Sequence, residues 1–129
     1  MLHIMVIEDD EFFREMLIDM LEQDGHRVDA AEDGAKALLL LNNIQPDLII
    51  TDMMMPNMTG AEFIHALAKR DSANIPLIVM SGGRLSHSAA INAQSDAELG
   101  IKESLTKPFS RQELRQAISD AMTATVAEN

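Results

Sequence analysis

Short apolar runs alternate with amphipathic stretches along the whole chain. Runs such as "HIMVI" and "PLIVMS" are typical of strands that are buried on both faces of a sheet. Between the runs, apolar residues recur at the three- and four-residue spacing of a helix. The pattern predicts five strands, at residues 3–7, 27–31, 47–51, 76–81 and 103–106.

The first helix is predicted at residues 11–23, and Asp24-Gly25 is a signal for its end. Its apolar residues share one face and predict the side that packs on the sheet. The residues of this face are Phe13, Met16, Leu17, Met20 and Leu21.

Turn and capping signals place the remaining helices. An Asp-Gly turn opens a second helix within residues 33–43. Thr59 and Ser110 each precede a glutamate by three residues, and this capping-box pattern opens the third helix and the last one. A further helix is expected at 88–98, which makes five.

Five strands that alternate with five helices predict an α/β fold. Such a chain forms a doubly wound parallel sheet with helices on both faces and right-handed crossovers. A length of 129 residues without a linker or repeat fits one domain, 1–129, and the tail at about 123–129 is expected to fray.

Composition narrows the function classes. The N-terminus has no basic leader and no apolar run approaches the roughly 20 residues of a membrane span, so neither a signal peptide nor membrane insertion is expected. The lack of cysteine excludes thiolate metal sites and weakly favours the cytoplasm. A net charge of −11 argues against direct nucleic acid binding.

Polar side chains collect where the predicted strands end. In parallel sheets these carboxyl ends meet at one edge, where ligands bind. Carboxylates brought close together repel each other unless they hold a cation, and an oxygen-rich site of this kind suits Mg²⁺. The residues that follow strands one, three, four and five are Glu8, Asp9, Asp10, Asp52, Ser81 and Lys107.

This set of groups suits a phosphoryl group. A carboxylate is a nucleophile, and a hydroxyl and an ammonium can hold phosphoryl oxygens. Taken one at a time, the same residues are also typical of helix caps, turns and loops. Their joint occurrence at four strand ends favours a functional site.

The chain resembles the receiver domain of two-component response regulators, from "MVIEDDE" through "PDLIITDMMMPNMTG" and "PLIVMSG" to "LTKPFS". The resemblance implies a flavodoxin-like sheet with strand order 2-1-3-4-5. It also implies that Asp52 accepts a phosphoryl group from a phosphohistidine, and that the chain is a switch rather than a turnover enzyme. The implied partners are a sensor histidine kinase or a histidine phosphotransfer protein, and a downstream output protein or domain.

The resemblance also assigns the ligands of Mg²⁺. Asp9 and Asp52 would bind the ion directly, Glu8 through water, and Met54 through its backbone carbonyl. Ser81 and Lys107 would hold the phosphoryl oxygens, and the Lys107–Pro108 bond is expected to be cis.

Two features depart from the family pattern. Ser104 stands three residues before the lysine, where the family usually has Tyr or Phe, and the chain contains no Tyr or Trp. The segment between Ser81 and Gly100 is longer than usual. Both departures concern the residues through which a change at the site would reach the surface that partners contact.

Two other functions remain open. A pseudo-receiver would act as a constitutive protein-interaction module, which the missing aromatic favours and the complete set of acids, serine and lysine opposes. A phosphatase with an aspartyl nucleophile, of the haloacid dehalogenase class, would need a D-x-D motif that "IEDDE" lacks in a fitting loop.

Overall fold

The sheet has five parallel strands, as the sequence predicts. The computed structural model describes residues 1–55, 57–70, 74–82 and 100–127. The strands are β1 His3–Ile7, β2 Arg27–Ala31, β3 Leu48–Asp52, β4 Leu77–Ser81 and β5 Ile101–Thr106. Their order is β2-β1-β3-β4-β5, which confirms the doubly wound, flavodoxin-like fold.

Four helices lie in the described part of the chain. They are α1 Glu11–Gln23, α2 Gly34–Leu40, α3 Gly60–Ala68 and α4 Arg111–Ala127. The helix expected at 88–98 lies outside the described residues. The last helix runs to Ala127 and so extends into the segment expected to fray.

Three strands differ from their predicted bounds, and β4 begins one residue later than predicted, at Leu77. β3 begins and ends one residue later than predicted, so Asp52 is part of the strand and pairs with Met80. β5 begins at Ile101, two residues earlier than predicted, because Ile101 pairs with Leu77 before a register irregularity at Leu77/Ile78.

Each helix begins at a side chain that accepts a hydrogen bond from the backbone of its first turn. Both predicted capping boxes form, Thr59 with Glu62 and Ser110 with Glu113, with bonds of 3.0–3.1 Å. These caps satisfy amide groups that have no partner within the helix. The caps of α1 and α2 are Asp10 and Asp33.

Apolar residues of the strands alternate between the two faces of the sheet. β1 sends Ile4 and Val6 to one face, and Met5 and Ile7 to the other. The face with Ile4 packs against residues of α1 and α4, and the opposite face against residues of α2 and α3. Because each face is buried, a slip of one residue would exchange the faces, so the register of the sheet is strongly fixed.

One residue predicted for the buried face of α1 is exposed. Leu17 and Leu21 are fully buried, whereas 42% of Met16 is exposed. Successive helical residues are separated by about 100° around the axis, which carries Met16 away from Leu17 to the edge of the apolar stripe. The prediction was wrong for Met16, and the stripe that faces the sheet is narrower than the sequence indicated.

A carboxylate at the end of α1 ties this helix to α4. Asp24 accepts hydrogen bonds from Arg111 Nη2 at 2.6 Å and from Arg115 Nε and Nη2 at 2.9 and 2.6 Å. These bonds, first that of Arg115 and then that of Arg111, hold the pKa of Asp24 well below its usual range. The ionised form of Asp24 therefore stabilises the fold.

Replacing Asp24 with asparagine should lower the midpoint of thermal unfolding near neutral pH. Because the pKa of Asp24 is lower in the folded state, its contribution is fully present above the unfolded-state pKa of about 4 and is lost as the pH falls through the folded value. The midpoint difference between wild type and Asp24→Asn should shrink below about pH 4. Thermal melts across pH, with exposed Asp19→Asn on the same helix as control, measure it. A difference that does not vary with pH would contradict the assignment.

Candidate functional site

The carboxylate of Glu8 turns into the protein just after β1. Only 1% of Glu8 is exposed, and its backbone N–H donates to the carbonyl of Ala31 at 3.1 Å, which continues the pairing of β1 with β2. Its own carbonyl accepts a hydrogen bond from Arg14 Nη1 at 2.9 Å. These backbone contacts fix the point from which the side chain enters the site.

Asp52 brings a second carboxylate to the same edge. It is the last residue of β3 and is 5% exposed. The backbone N–H of Met54 donates to its Oδ1 at 3.2 Å, and Met53 continues the pairing with β4 through a 3.0 Å bond to the carbonyl of Met80. The carboxylate is therefore held close to where the strand ends.

Lys107 joins these two carboxylates. Its Nζ donates to Glu8 Oε1 and to Asp52 Oδ2, the latter at 3.2 Å, and 22% of its side chain is exposed. The backbone N–H of Lys107 donates to the carbonyl of Ser81 at 2.8 Å. The peptide bond between Lys107 and Pro108 is cis, as the resemblance implies.

Burial and charge shift two of these groups in the same direction. Burial raises the pKa of Glu8 to about 7, against the hydrogen bonds from Lys107 and from the backbone of Asp10, and the charge of Asp52 adds to the rise. Burial alone would lower the pKa of Lys107, but the hydrogen bond to Glu8 and the charge of Asp52 raise it above its usual value. The site therefore carries an excess of negative charge, and this excess favours the charged form of Lys107.

Three carboxylates of the site fit a divalent cation. Glu8, Asp9 and Asp52 each offer one oxygen atom, and these atoms all lie within 4.8 Å of one another. Oxygens on opposite sides of an octahedral Mg²⁺ are separated by about 4.2 Å, twice a bond of 2.1 Å, so small side-chain adjustments suffice. Asp9 is exposed, which leaves room for the water ligands that Mg²⁺ keeps.

The other predicted site residues lie at the same edge. Ser81 is 4% exposed and ends β4, where it pairs with Thr106 beside Lys107. The backbone N–H of Met54 donates to Asp52, the residue is 64% exposed, and the ligand role of its carbonyl stays a prediction. Asp10 caps α1 and is not one of the three grouped carboxylates. Ser104, in the position where the family carries an aromatic residue, is exposed on β5.

Two contacts of the site were not predicted. The sequence placed Glu8 toward a metal through water and gave no sign of its ion pair with Lys107, which is 99 residues away. Phe13 was predicted as a core residue, and its ring also lies 4.5 Å from Lys107 Nζ. Neither pairing has a local sequence signal, since both depend on how the side chain of Lys107 is directed.

Gly60 allows α3 to begin directly against the end of β3. Its N–H donates to the carbonyl of Met53 at 3.1 Å. A Cβ at this position would lie 2.6 Å from the carbonyl oxygen of Asp52 and 2.7 Å from the Cα of Met53. Because these are backbone atoms of β3 and its exit, glycine is required for the close approach.

Comparison with known proteins gives one family. The sequence profile of the response regulator receiver domain matches residues 4–119. The chain is 30% identical over 122 residues to the chemotaxis protein CheY of Halobacterium salinarum, which covers 94% of this chain and 97% of that protein. It is 36% identical over 132 residues to the sensor histidine kinase TmoS of Ectopseudomonas mendocina, which covers 96% of this chain. The chain spans 12% of the length of that kinase.

A solved structure supports the same fold. The chemotaxis response regulator CheY4 of Vibrio cholerae superposes with a TM-score of 0.80 at 28% identity, over 92% of this chain and 97% of that one. In the described part of the chain, no helix combines the length and apolar character needed to cross a membrane.

Replacing Gly60 with alanine should destabilise the fold by about 1–3 kcal/mol, the usual cost of overpacking a rigid site. The added methyl group must displace the backbone of Asp52 and Met53. Chemical denaturation measures the change. Gly82→Ala is the matched control because a Cβ there meets no described atom within 4 Å. Equal unfolding free energies for the two variants would contradict the required close approach.

Replacing Asp9 with asparagine should weaken the stabilisation by Mg²⁺ while leaving the metal-free protein as stable as wild type or more so. The substitution removes one of three mutually repelling carboxylates. In wild type, stability should rise by about 1.4 kcal/mol for each tenfold increase of Mg²⁺ above its dissociation constant. Asp9→Asn should need at least about tenfold more Mg²⁺ for the same stabilisation, which corresponds to a loss of about 1.4 kcal/mol or more in binding free energy, because the charge contact between Asp9 and the ion is lost.

Thermal melts over a Mg²⁺ titration make this measurement. Asp10→Asn is the matched control, because asparagine caps a helix as well as aspartate does and position 10 lies outside the group of three. If Asp9→Asn responded to Mg²⁺ as the wild type does, Asp9 would not be a ligand.

Proposed function

The chain belongs to the response regulator receiver domain family, and we propose that Asp52 is its phosphoacceptor. The donor is a phosphohistidine of a sensor histidine kinase or of a histidine phosphotransfer protein. The P–N bond of the donor breaks while a P–O bond forms to a carboxylate oxygen of Asp52, and the product is an aspartyl phosphate. The histidine nitrogen leaves with the bonding electron pair.

The observation that carries this proposal is the position of Asp52. Its carboxylate ends a buried strand, is 5% exposed, and has the ammonium of Lys107 at 3.2 Å. A structural cap at a strand end has no need of a buried ion pair. A nucleophile that must receive a phosphoryl group needs a fixed orientation and positive charge beside it.

Lys107 and Ser81 complete the proposed site. The ammonium of Lys107 neutralises charge on the phosphoryl oxygens after transfer, and the hydroxyl of Ser81 donates a hydrogen bond to them. Asp9 and Asp52, with Glu8 through water and the carbonyl of Met54, would hold Mg²⁺. When bound, this ion supplies the positive charge that screens the carboxylates from the incoming phosphoryl group.

The proposed outcome is a change of conformation rather than turnover of a substrate. Phosphorylation adds negative charge at Asp52 and so changes what Lys107 and Ser81 contact, which biases the surface around β4 and β5. A downstream output protein or domain would distinguish the two states. The similarity to a segment of a sensor histidine kinase is consistent with a place in a phosphorelay.

Asp52→Asn should abolish Mg²⁺-dependent phosphorylation by acetyl phosphate or by a cognate kinase. Asparagine keeps the size of the side chain and removes the nucleophilic carboxylate. Incorporation of labelled phosphate into the intact protein is the measurement, and Asp10→Asn, a nearby aspartate that caps α1, should be phosphorylated like the wild type. Undiminished labelling of Asp52→Asn would reject the proposed acceptor.

The pseudo-receiver remains the second candidate, because Ser104 is exposed on β5 and offers no aromatic ring to move inward. The two functions differ in their response to a phosphoryl mimic. A phosphoacceptor should show changes in its backbone amide NMR spectrum when Mg²⁺ and beryllofluoride are added. A constitutive interaction module should show none.

A further inference from the structure

An aromatic ring lies against the lysine of the site. The Nζ atom of Lys107 is 4.5 Å from the centroid of the Phe13 ring. Ammonium groups within about 6 Å of a ring centroid are attracted by the electron-rich face, and the attraction grows as water is excluded. With 22% of its side chain exposed, Lys107 is largely shielded from water.

The ring of Phe13 is fixed from two sides. Its backbone N–H donates to the capping carboxylate of Asp10 at 3.1 Å, which sets the residue in the first turn of α1. Its ring meets that of Phe109 edge to face, with centroids 5.5 Å apart and an interplanar angle of 86°. Phe109 is 8% exposed and belongs to the core beneath α1 and α4. These contacts place the ring beside Lys107.

The other partners of Lys107 have a second use. Glu8 and Asp52 accept its hydrogen bonds, and both also belong to the group of three carboxylates that fits a divalent cation. A cation in that group competes with the ammonium for the same oxygens and repels it. A lysine side chain carries about 2 kcal/mol of rotamer entropy, so without another contact it would spread over several orientations.

The ring of Phe13 is a partner for which a hard cation does not compete. Mg²⁺ selects oxygen ligands, and a benzene ring offers none. The ring also cannot form an ion pair that would have to break when a phosphoryl group arrives. It restricts where the ammonium lies while leaving all three of its N–H donors available.

We propose that Phe13 is a positioning residue that holds the ammonium of Lys107 at the acidic edge by a cation–π contact. This role rests on the function proposed above, in which Lys107 meets the phosphoryl oxygens. The competing explanation is that Phe13 only fills space beside Phe109. The two differ in whether the electron density of the ring matters or only its volume.

The contact itself is tested without phosphorylation. In the metal-free protein, the ε-methylene protons of Lys107 should resonate upfield of those of other lysines because of the ring current of Phe13. Phe13→Leu should abolish this shift and Phe13→Tyr should retain it. The shift should also persist in wild type when Mg²⁺ is added. Its loss on adding Mg²⁺ would overturn the proposed role, because the ring would then not hold the lysine in the metal-bound form.

The consequence is tested by the rate of phosphorylation with acetyl phosphate at saturating Mg²⁺. Phe13→Leu, and a protein with 3,4,5-trifluorophenylalanine at position 13, should react about three- to tenfold more slowly than wild type. The fluorinated ring keeps its shape but loses the electron-rich face. Phe13→Tyr should react like wild type, and so should the matched control Phe12→Leu, whose residue is 88% exposed.

The outcomes separate this proposal from the one on which it rests. Wild-type rates in Phe13→Leu, or a normal rate with the fluorinated ring, would overturn the positioning role and leave Asp52 as the acceptor. A wild-type protein that takes up no phosphoryl group would overturn the proposed function and the role of Phe13 with it. The midpoint of thermal unfolding checks that each variant is folded. If Phe13→Leu is unstable, the protein with the fluorinated ring still tests the proposal.

Discussion

The site depends on one ammonium shared by two buried carboxylates. Glu8 and Asp52 are 1% and 5% exposed, and Lys107 donates to both. Burial raises the pKa of Glu8 to about 7 and the charge of Asp52 adds to the rise, so without a cation beside them one of the two carboxylates would favour its protonated form. The lysine therefore allows a fold with an acidic edge to form without a metal. The same arrangement leaves the carboxylate oxygens free to exchange the ammonium for another cation, because Lys107 contacts them through hydrogen bonds and charge and not through a covalent bond.

The positions of the two carboxylates are set mainly by packing in the hydrophobic core, and less by contacts within the site. Ile49 and Ile50 face opposite sides of the sheet, each within a buried cluster, so β3 cannot slip by one residue without exchanging the two sets and disrupting the packing on both faces. Asp52 is part of the ladder through its pairing with Met80. Apolar packing thus fixes where the carboxylate of Asp52 lies at the edge of the sheet. The close approach of Gly60 fixes the path of the chain that follows β3. Because the site residues follow the ends of several strands, the sheet holds their backbones in fixed relative positions.

Local signals in the sequence predicted the parallel sheet and the residues of its edge, and the strand order followed from the family resemblance. Alternating apolar runs predicted the strands, and the pairs Thr59–Glu62 and Ser110–Glu113 predicted two helix starts that the structure confirms. The errors concern the margins of elements: Met16 lies at the margin of its apolar stripe, and the start of β5 at Ile101 depends on pairing with Leu77 of β4. Helical periodicity cannot resolve the margin of a stripe, and strand ends depend on the neighbouring strand.

The side-chain pairings within the site could not be predicted in the same way. The topology brings Glu8 and Lys107 to one edge, but many arrangements of a long flexible side chain fit that placement. Which one forms depends on burial, on the two carboxylates and on the ring of Phe13 together. The sequence therefore predicts which residues form the site but not the contacts among their side chains.

The same network bears on how a change at Asp52 is transmitted. Ser104 is exposed and carries no ring, so this chain lacks the aromatic side chain through which the family pattern links the site to its surface. Among the described residues, the contacts of Lys107 lead instead to Phe13 on α1 and, through its ring, to Phe109 just before α4. Both phenylalanines pack in the core beneath these two helices. Under the proposed function, the ammonium that meets the phosphoryl group stays in contact with a ring that joins α1 to the start of α4. A change at Asp52 would therefore be connected to these two helices as well as to the surface around β4 and β5.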